Sequence, residues 1–119
     1  MNIFYNDLHN QLYNEFIKKV SKKTRENKIF LYIIECEYAL YSNIDNIYNF
    51  KCDELSLENI ELVLARSSRG EDVLLRVALY FFNWRWETPD LISIINSLDK
   101  KGYFVLRNAM DIYKEVIDI

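Results

Sequence analysis

The sequence predicts an all-α fold, a compact bundle of four longer and about two short helices around one buried helix. Residues 73–82 are apolar at every position except Arg76, and a helix that is apolar nearly all round needs neighbours on most sides. The 119 residues include two Gly and one Pro, too few for the many turns of an all-β protein. Half of the residues are hydrophobic, which predicts a single helical domain over residues 1–119 with a core that needs no disulfide or metal.

The predicted central helix covers residues 68–86 and has a marked start. Ser68 and Glu71 have the spacing of a capping box, in which each side chain satisfies a backbone N–H of the other residue. Glu71 and Asp72 also place negative charge in the first turn, where the helix dipole favours it. The other helices are expected to pack around this segment.

Two helices are predicted before the central one, over residues 3–20 and 29–41. The first, which Asn2 or Asn6 could cap, has a polar face and an apolar stripe. The stripe consists of Tyr5, Leu8, Leu12, Tyr13, Phe16, Ile17 and Val20. The second has Thr24 as a suitable N-cap; its IFLYII run also fits a buried strand, but the run continues without a breaker, which favours helix.

Shorter elements are predicted in the middle of the chain. Residues 43–50 suit a short helix or a pair of turns, and residues 51–55 suit a polar loop. The inward side chains of the first segment would be Ile44, Ile47 and Tyr48. Ser56 can cap a helix over residues 57–66. The core-facing residues of that helix would be Leu57, Ile60, Val63 and Leu64.

Two further helices are predicted after the central one. Thr88 as N-cap and Pro89 at the first helical position start a helix whose stripe is Leu91, Ile94, Ile95 and Leu98. Residues 100–101, both lysines, suit its C-terminal end, and Gly102 suits the left-handed position beyond it. The last helix is expected over residues 103–117. Its buried residues would be Tyr103, Leu106, Met110, Tyr113 and Ile117.

The residues that could support catalysis or metal binding are few. Cys36 and Cys52 match neither a redox CxxC nor a zinc site, and Cys36 falls on the apolar face of its predicted helix, where a thiol is inert. His9, the one histidine, is expected at the surface or edge of the first helix. Glu35 and Glu37 do not share a helix face and make poor partners for a metal. The sequence therefore predicts a protein that is not an enzyme and that binds no cofactor or metal.

Hydropathy and charge indicate the surroundings and the partners. No apolar run reaches the length of a membrane span, and a signal peptide is not evident, so a cytoplasmic protein without a membrane partner is expected.

The basic segment, residues 18–28, holds six of the 15 Lys and Arg and one of the 18 Asp and Glu. Its cations are Lys18, Lys19, Lys22, Lys23, Arg25 and Lys28. Such a patch attracts phosphate or an acidic protein surface. The alternative is that these residues are simply the solvated end of a helix, without a binding role.

A narrow polar stripe follows the central helix, and two tryptophans close it. The stripe consists of Arg69, Asp72, Arg76, Tyr80 and Asn83. Asp72 and Arg76 are four residues apart and can pair, and the stripe could either grip a partner or form the solvent edge of the helix. Trp84 and Trp86 cannot both face the core of one helix, so one of them is expected at the rim. There it would either anchor a partner or cover the end of the bundle.

Three segments carry a resemblance to a known family. They are FYNDLH at residues 4–9, IYNF at residues 47–50, and Ser67–Ser68 followed by the apolar helix that ends in LYFFN at residues 79–83. In these segments the chain resembles a family of short bacterial proteins, common on phages and other mobile elements and known only as a domain of unknown function. The resemblance implies a helical domain and a mobile-element origin, and it implies no activity and no catalytic residue.

These observations favour a small non-catalytic interaction protein that binds another protein stoichiometrically. The missing catalytic set, the aromatic content of 15% and the resemblance support this hypothesis. The expected target is a bacterial defence system such as a CRISPR nuclease, which the protein would inhibit. The alternative is a nucleic-acid-binding or regulatory module that uses the basic segment. A homodimer is compatible with either hypothesis.

Overall fold

The chain is mostly helical, as predicted, and has one small antiparallel hairpin. The computed structural model describes residues 2–82 and 87–119. Its helices are α1 (Asp7–Ile17), α2 (Arg25–Ile34), α3 (Tyr38–Tyr41), α4 (Ile44–Ile47), α5 (Leu57–Arg66), α6 (Arg69–Phe82), α7 (Leu91–Ser97) and α8 (Lys100–Tyr113). Strands β1 (Tyr48–Asn49) and β2 (Glu54–Leu55) pair with Tyr48 opposite Leu55. In this part of the chain five helices, rather than the predicted four, have ten residues or more.

Helix α2 is the most deeply buried element. All residues from Phe30 to Ile34 are fully buried, and α2 packs against α1, α6 and α8. Thr24 caps it as predicted: its Oγ1 accepts from the Asn27 backbone N–H at 3.2 Å, and Asn27 Oδ1 accepts from the Thr24 N–H at 2.9 Å. The core is therefore centred on α2 and α6 together, whereas the sequence pointed to the later helix alone.

Helix α6 begins as the sequence predicts. The Ser68 N–H donates to Glu71 Oε1 at 2.8 Å, and the Glu71 N–H donates to Ser68 Oγ at 3.3 Å. The apolar side chains at the centre of the helix are buried. They are Val73, Leu74, Leu75, Val77, Ala78 and Leu79. The predicted continuation of this helix to Trp86 lies outside the described residues.

The single helix predicted over residues 29–41 is in fact two helices. Helix α2 ends at Ile34, residues 35–37 form a turn, and α3 begins at Tyr38. The Cys36 N–H donates to the Ile33 carbonyl at 3.2 Å, so the backbone tightens to the i→i+3 pattern that often ends a helix. Cys36 is therefore buried in a turn and not on a helix face. No Gly or Pro marks the break, which is why the apolar run looked continuous.

Helix α1 is shorter than predicted, and its predicted stripe is confirmed at Tyr13, Phe16, Ile17 and Val20 but not at its N-terminal end. Asn6 caps it, with its side chain accepting from the His9 N–H at 2.9 Å. The buried side chains are His9 and Tyr13, whereas Tyr5 and Leu8 from the predicted stripe are exposed. The predicted surface position of His9 is therefore wrong.

The middle of the chain confirms most predictions and adds the hairpin. Ile44, Ile47 and Tyr48 are buried as predicted. Where a polar loop was predicted, β1 and β2 pair around a turn in which Asp53 has a positive φ of 58° and accepts a hydrogen bond from the Tyr48 hydroxyl. Ser56 caps α5 as predicted. Leu57, predicted to face the core, is exposed.

Helix α7 begins later than predicted. Asp90 is its N-cap and accepts from the Ser93 N–H at 2.9 Å, so Thr88 and Pro89 precede the helix. Ile94 and Leu98 pack against the core, but Leu91 and Ile95 from the predicted stripe are exposed. An Asp whose carboxylate reaches the third N–H of the helix competes well with Thr for the cap.

Helix α8 begins earlier than predicted. Asp99 is its N-cap and accepts from the Gly102 N–H at 2.8 Å, so Lys100 and Lys101 form the first turn of α8 and not the end of α7. Gly102 is buried inside this turn, where an added Cβ would lie 3.1 Å from Leu98 Cδ2. Its role is close packing rather than the predicted left-handed turn.

The buried face of α8 also differs from the prediction. Its buried residues are Gly102, Val105, Leu106, Asn108, Ala109 and Ile112. Leu106 is buried as predicted, and Ile117 packs against the core from beyond the end of the helix. Tyr103, Met110 and Tyr113 are exposed. The core thus selected a face with two small residues and left the bulkier side chains in solvent. Over residues 2–82 and 87–119, none of the helices combines the length and the apolar character of a bilayer span.

Candidate functional site

The polar stripe predicted on the central helix is held by contacts within the chain. Arg76 Nε lies 2.8 Å from Asp72 Oδ1, so the predicted pair is confirmed. Arg69 Nε donates to Ser97 Oγ at 2.8 Å and ties α6 to α7. Tyr80 is exposed. The predicted anchors Trp84 and Trp86 lie outside the described residues, as does Asn83.

The basic segment does not form a uniform positive surface. The Arg25 guanidinium lies 4.1 Å from the centroid of the Tyr113 ring and donates to the Tyr113 carbonyl at 3.0 Å, which fastens the end of α8 to α2. Lys19 Nζ lies 4.9 Å from the Phe16 ring centroid. Two of the six cations therefore already contact aromatic rings of the same chain.

The remaining cations are spread out. Lys18, Lys22 and Lys23 are exposed around the turn between α1 and α2. Lys28 lines a cleft of about 420 Å³ together with Arg25, but Glu115 and Asp118 line the same cleft. Two carboxylates beside two cations weaken the attraction of this cleft for phosphate.

A different cluster of groups converges where α1, the turn after α2, α3 and α8 meet. It surrounds a cleft of about 200 Å³, which we name the tyrosine cleft. Its lining residues are Tyr5, Asn6, Leu8, His9, Glu35, Cys36, Glu37, Tyr38, Tyr41 and Lys101. The break after Ile34 creates this cleft, because the chain turns there instead of extending the buried helix.

The rim of the tyrosine cleft is aromatic and solvent-exposed. Tyr38 is 71% exposed and Leu8 is 50% exposed, and Tyr5 is nearly as open. The Tyr38 ring packs edge-on against Tyr41, with ring centroids 5.4 Å apart. Side chains of this kind offer apolar area with a hydroxyl at the tip, which is the composition of many protein-binding surfaces.

The most unusual group in the cleft is Glu35. Its side chain is 1% exposed, and neither carboxyl oxygen has a hydrogen-bond partner among the residues that the structure describes. Burial, assisted by the negative charge of Glu15, raises the pKa of Glu35 to about 9. The carboxyl group is therefore neutral at pH 7. A buried ionisable group with a strongly shifted pKa beside a cleft is a candidate for a functional role.

His9 is buried beside Glu35 with both ring nitrogens occupied. Nε2 donates to the Tyr32 carbonyl at 2.7 Å, and Nδ1 accepts from the Tyr5 N–H at 3.1 Å. These bonds select one neutral tautomer. Burial lowers the pKa of the ring below its usual value. His9 thus fixes the backbone of the cleft rim onto α2.

The other polar groups of the cleft are inert or paired. Burial raises the pKa of the Cys36 thiol to about 12, so this cysteine is neither a thiolate nor a nucleophile at pH 7. Lys101 Nζ pairs with Glu37 Oε2 at 3.0 Å. Among the described residues no group of three His, Cys, Asp or Glu side chains is placed to hold a metal. The cleft offers exposed aromatic area, one neutral acid and one ion pair, which together suit binding.

Sequence reasoning missed the tyrosine cleft as a site. It treated Glu35 only as a weak metal ligand, because residues 29–41 looked like one helix with Glu35 on its surface. One feature of the sequence does indicate that Glu35 is buried. It directly follows the wholly apolar IFLYII run, so a fold that buries this run tends to bury Glu35 as well.

Comparison with curated proteins and with solved structures finds no match for this chain. One protein family matches it over residues 1–115, a span that contains all the helices and the tyrosine cleft. The match confirms the predicted resemblance to an uncharacterised domain. The chain therefore belongs to DUF6075, a family of unknown function.

Proposed function

We propose that this protein is a non-catalytic interaction protein that binds another protein stoichiometrically through the tyrosine cleft. The observation that carries the proposal is the exposed rim, in which Tyr5, Leu8 and Tyr38 present aromatic and apolar surface beside a concave opening. A few such residues around a pocket commonly supply most of the binding energy of an interface.

The surroundings of the rim support a preformed site. Tyr5 contacts Phe104 of α8 with ring centroids 5.9 Å apart, and Tyr38 contacts Tyr41 of the same short helix. The backbone hydrogen bond from Tyr5 to His9 adds a further constraint. Side chains that are already held in place lose less conformational entropy when a partner binds.

The narrower form of the proposal concerns the target. It is a bacterial defence system, such as a CRISPR nuclease, which a phage or mobile-element protein would inhibit by occupying one of its surfaces. This form rests on the sequence resemblance alone. An inhibitor of this type acts in proportion to its own concentration and needs only a binding surface.

Affinity capture from a bacterial host lysate tests the proposal with three forms of the 119-residue chain. The rim variant combines Leu8→Ser with Tyr38→Ser. The control combines Leu57→Ser with Leu62→Ser, which removes similarly exposed apolar area on α5. We expect wild type and control to enrich one protein that the rim variant does not enrich, at both low and moderate salt.

Two results would contradict the proposal. One is equal capture by the rim variant and wild type. The other is capture of nucleic acid that is lost at moderate salt and abolished by Lys22→Glu with Lys23→Glu, because binding to phosphates weakens steeply with salt. A thermal melt of each variant, followed by circular dichroism, verifies that the rim variant is folded.

A further inference from the structure

The carboxyl group of Glu35 has no hydrogen-bond partner among the residues that the structure describes. Only 1% of the Glu35 surface is exposed. Buried polar groups are nearly always paired, and an unpaired one is costly. Lys101 lines the same cleft but already pairs with Glu37 at 3.0 Å. Both nitrogens of His9 are used by backbone groups.

The lining of the tyrosine cleft is rich in aromatic rings. Tyr5, Tyr38 and Tyr41 line the tyrosine cleft together with Glu35. Aromatic faces attract ammonium and guanidinium groups, and the methylene stem of Arg or Lys packs well on apolar surface. At about 200 Å³ the cleft is smaller than small-molecule pockets of roughly 300–1,000 Å³ and fits one side chain.

The charges around the cleft favour a cation over an anion. Glu15 of α1 is close enough for its negative charge to raise the pKa of Glu35. The cation among the described lining residues, Lys101, is neutralised by Glu37. The chain as a whole has a net charge of −3, although 18–28 is basic.

We propose that the tyrosine cleft takes up one arginine or lysine side chain of the bound partner, and that Glu35 releases its proton to solvent and pairs with that cation. This inference rests on the protein-binding function proposed above and specifies the chemistry of the partner. Because free Glu35 is protonated at pH 7, binding of the cation releases a proton, and affinity must rise with pH.

The test uses Nα-acetyl-arginine amide as the probe and Nα-acetyl-citrulline amide as its neutral isostere, titrated into the 119-residue chain and followed by NMR. We expect saturable shifts of the backbone amides of Glu35, Cys36 and Tyr38 with the arginine probe. Citrulline should bind at least about tenfold more weakly. Between pH 6.5 and 7.5 the affinity for the arginine probe should rise up to about tenfold, the limit for release of one proton.

Two variants make the result specific. Glu35→Gln should weaken the arginine probe at least about tenfold and remove the pH dependence, while Glu61→Gln, at an exposed position on α5, should keep both. Equal binding of the two probes, or unchanged arginine binding by Glu35→Gln, overturns the inference. The two proposals can fail separately.

If the arginine probe does not bind, but the rim variant no longer captures the protein that wild type captures, the cation inference is wrong and protein binding stands. If the arginine probe binds, but the rim variant captures the same protein as wild type, protein binding through the rim is wrong.

Discussion

Among the described residues, four of polar or charged type are buried, and their side chains are satisfied to very different degrees. Asn27 accepts from the Thr24 N–H and donates to the Lys22 carbonyl at 2.6 Å, and His9 uses both ring nitrogens. Asn108 donates to the Ile3 carbonyl at 3.4 Å. Glu35 alone of the four lacks partners among the described residues. The hydrogen bonds of the first three side chains therefore stabilise the native state, whereas ionisation of Glu35 destabilises it.

Glu35→Gln should stabilise the protein above neutral pH and flatten its pH dependence. The pKa of Glu35 is about 9 in the folded state and 4.5 in the unfolded reference, so the unfolded state releases its proton first as pH rises. Stability present below pH 4.5 is lost progressively toward pH 9, by at most about 1.4 kcal/mol per pH unit. Urea unfolding between pH 6.5 and 8 should show this loss in wild type and little of it in the variant.

The choice of pH range separates Glu35 from His9. Burial lowers the pKa of His9 from 6.5, so its contribution to stability rises with pH and is complete about one pH unit above that value, whereas that of Glu35 falls. Glu61→Gln, at an exposed position on α5, is the matched control and should keep the wild-type slope. Parallel slopes for wild type and Glu35→Gln would mean that Glu35 is ionised in the folded protein.

His9→Phe should destabilise the protein although Phe fits a buried position. It leaves the buried Tyr32 carbonyl without its partner and removes the acceptor of the part-buried Tyr5 N–H, and an unsatisfied buried group costs about 1–3 kcal/mol. Urea unfolding at pH 7.5, where the ring is neutral in both states, should give a loss of about 2 kcal/mol or more. Asn10→Phe, at an exposed position of the same helix, should change stability far less. A neutral effect of His9→Phe would show that these bonds contribute nothing.

At the scale of elements, the sequence predicted helix starts better than helix faces. The capping residues Ser68, Thr24 and Ser56 are confirmed because a cap depends on side chains and N–H groups three positions apart, which a sequence displays directly. The break after Ile34 was missed because no Gly or Pro marks it. Only the tertiary packing of α2 against its neighbours makes the chain turn there.

The faces of α1 and α8 were predicted only in part, for a related physical reason. Tyr5 and Tyr103 are apolar enough to look like core residues, but the core took His9 and Gly102 instead. Close packing between helices favours a small residue, and a fully hydrogen-bonded imidazole can be buried. Neither preference is visible in hydrophobic periodicity.

The start of α8 can be tested through its cap. Asp99→Ala removes the acceptor of the Gly102 N–H bond at 2.8 Å and should destabilise the protein by about 1 kcal/mol. Asp99→Asn keeps an acceptor in the same position and should stay close to wild type. The measurement is chemical denaturation of both variants. Equal loss in both would indicate that charge matters here rather than capping, and no loss in either would place the helix start elsewhere.

At the scale of the whole molecule, the candidate site depends on contacts that local patterns do not contain. The tyrosine cleft joins Tyr5 near the start of the chain, Glu35 in the middle and Lys101 near the end. The basic segment, by contrast, is evident in the sequence, yet Arg25 is occupied by Tyr113, which lies 88 positions later. Composition locates charge along a chain, and folding decides which charges remain available.

The shared core of α2 and α6 makes the whole molecule cooperative. The two helices pack directly on each other, and their buried residues belong to one hydrophobic cluster. Damage to α6 should therefore unfold α2 as well, although α2 itself is unchanged. The fully buried Ala78 of α6 is the most sensitive place to test this coupling.

Ala78→Asp should abolish the folded state altogether. An unpaired buried carboxylate costs several kcal/mol, which approaches the roughly 5–15 kcal/mol of total stability in a protein of this size. Tyr80→Asp, on the exposed side of the same helix, introduces the same charge and should melt close to wild type. Far-UV circular dichroism should show loss of helix in the first variant and a cooperative transition in the second. A helical, cooperatively melting Ala78→Asp protein would show that α6 can be lost or displaced without the rest of the core.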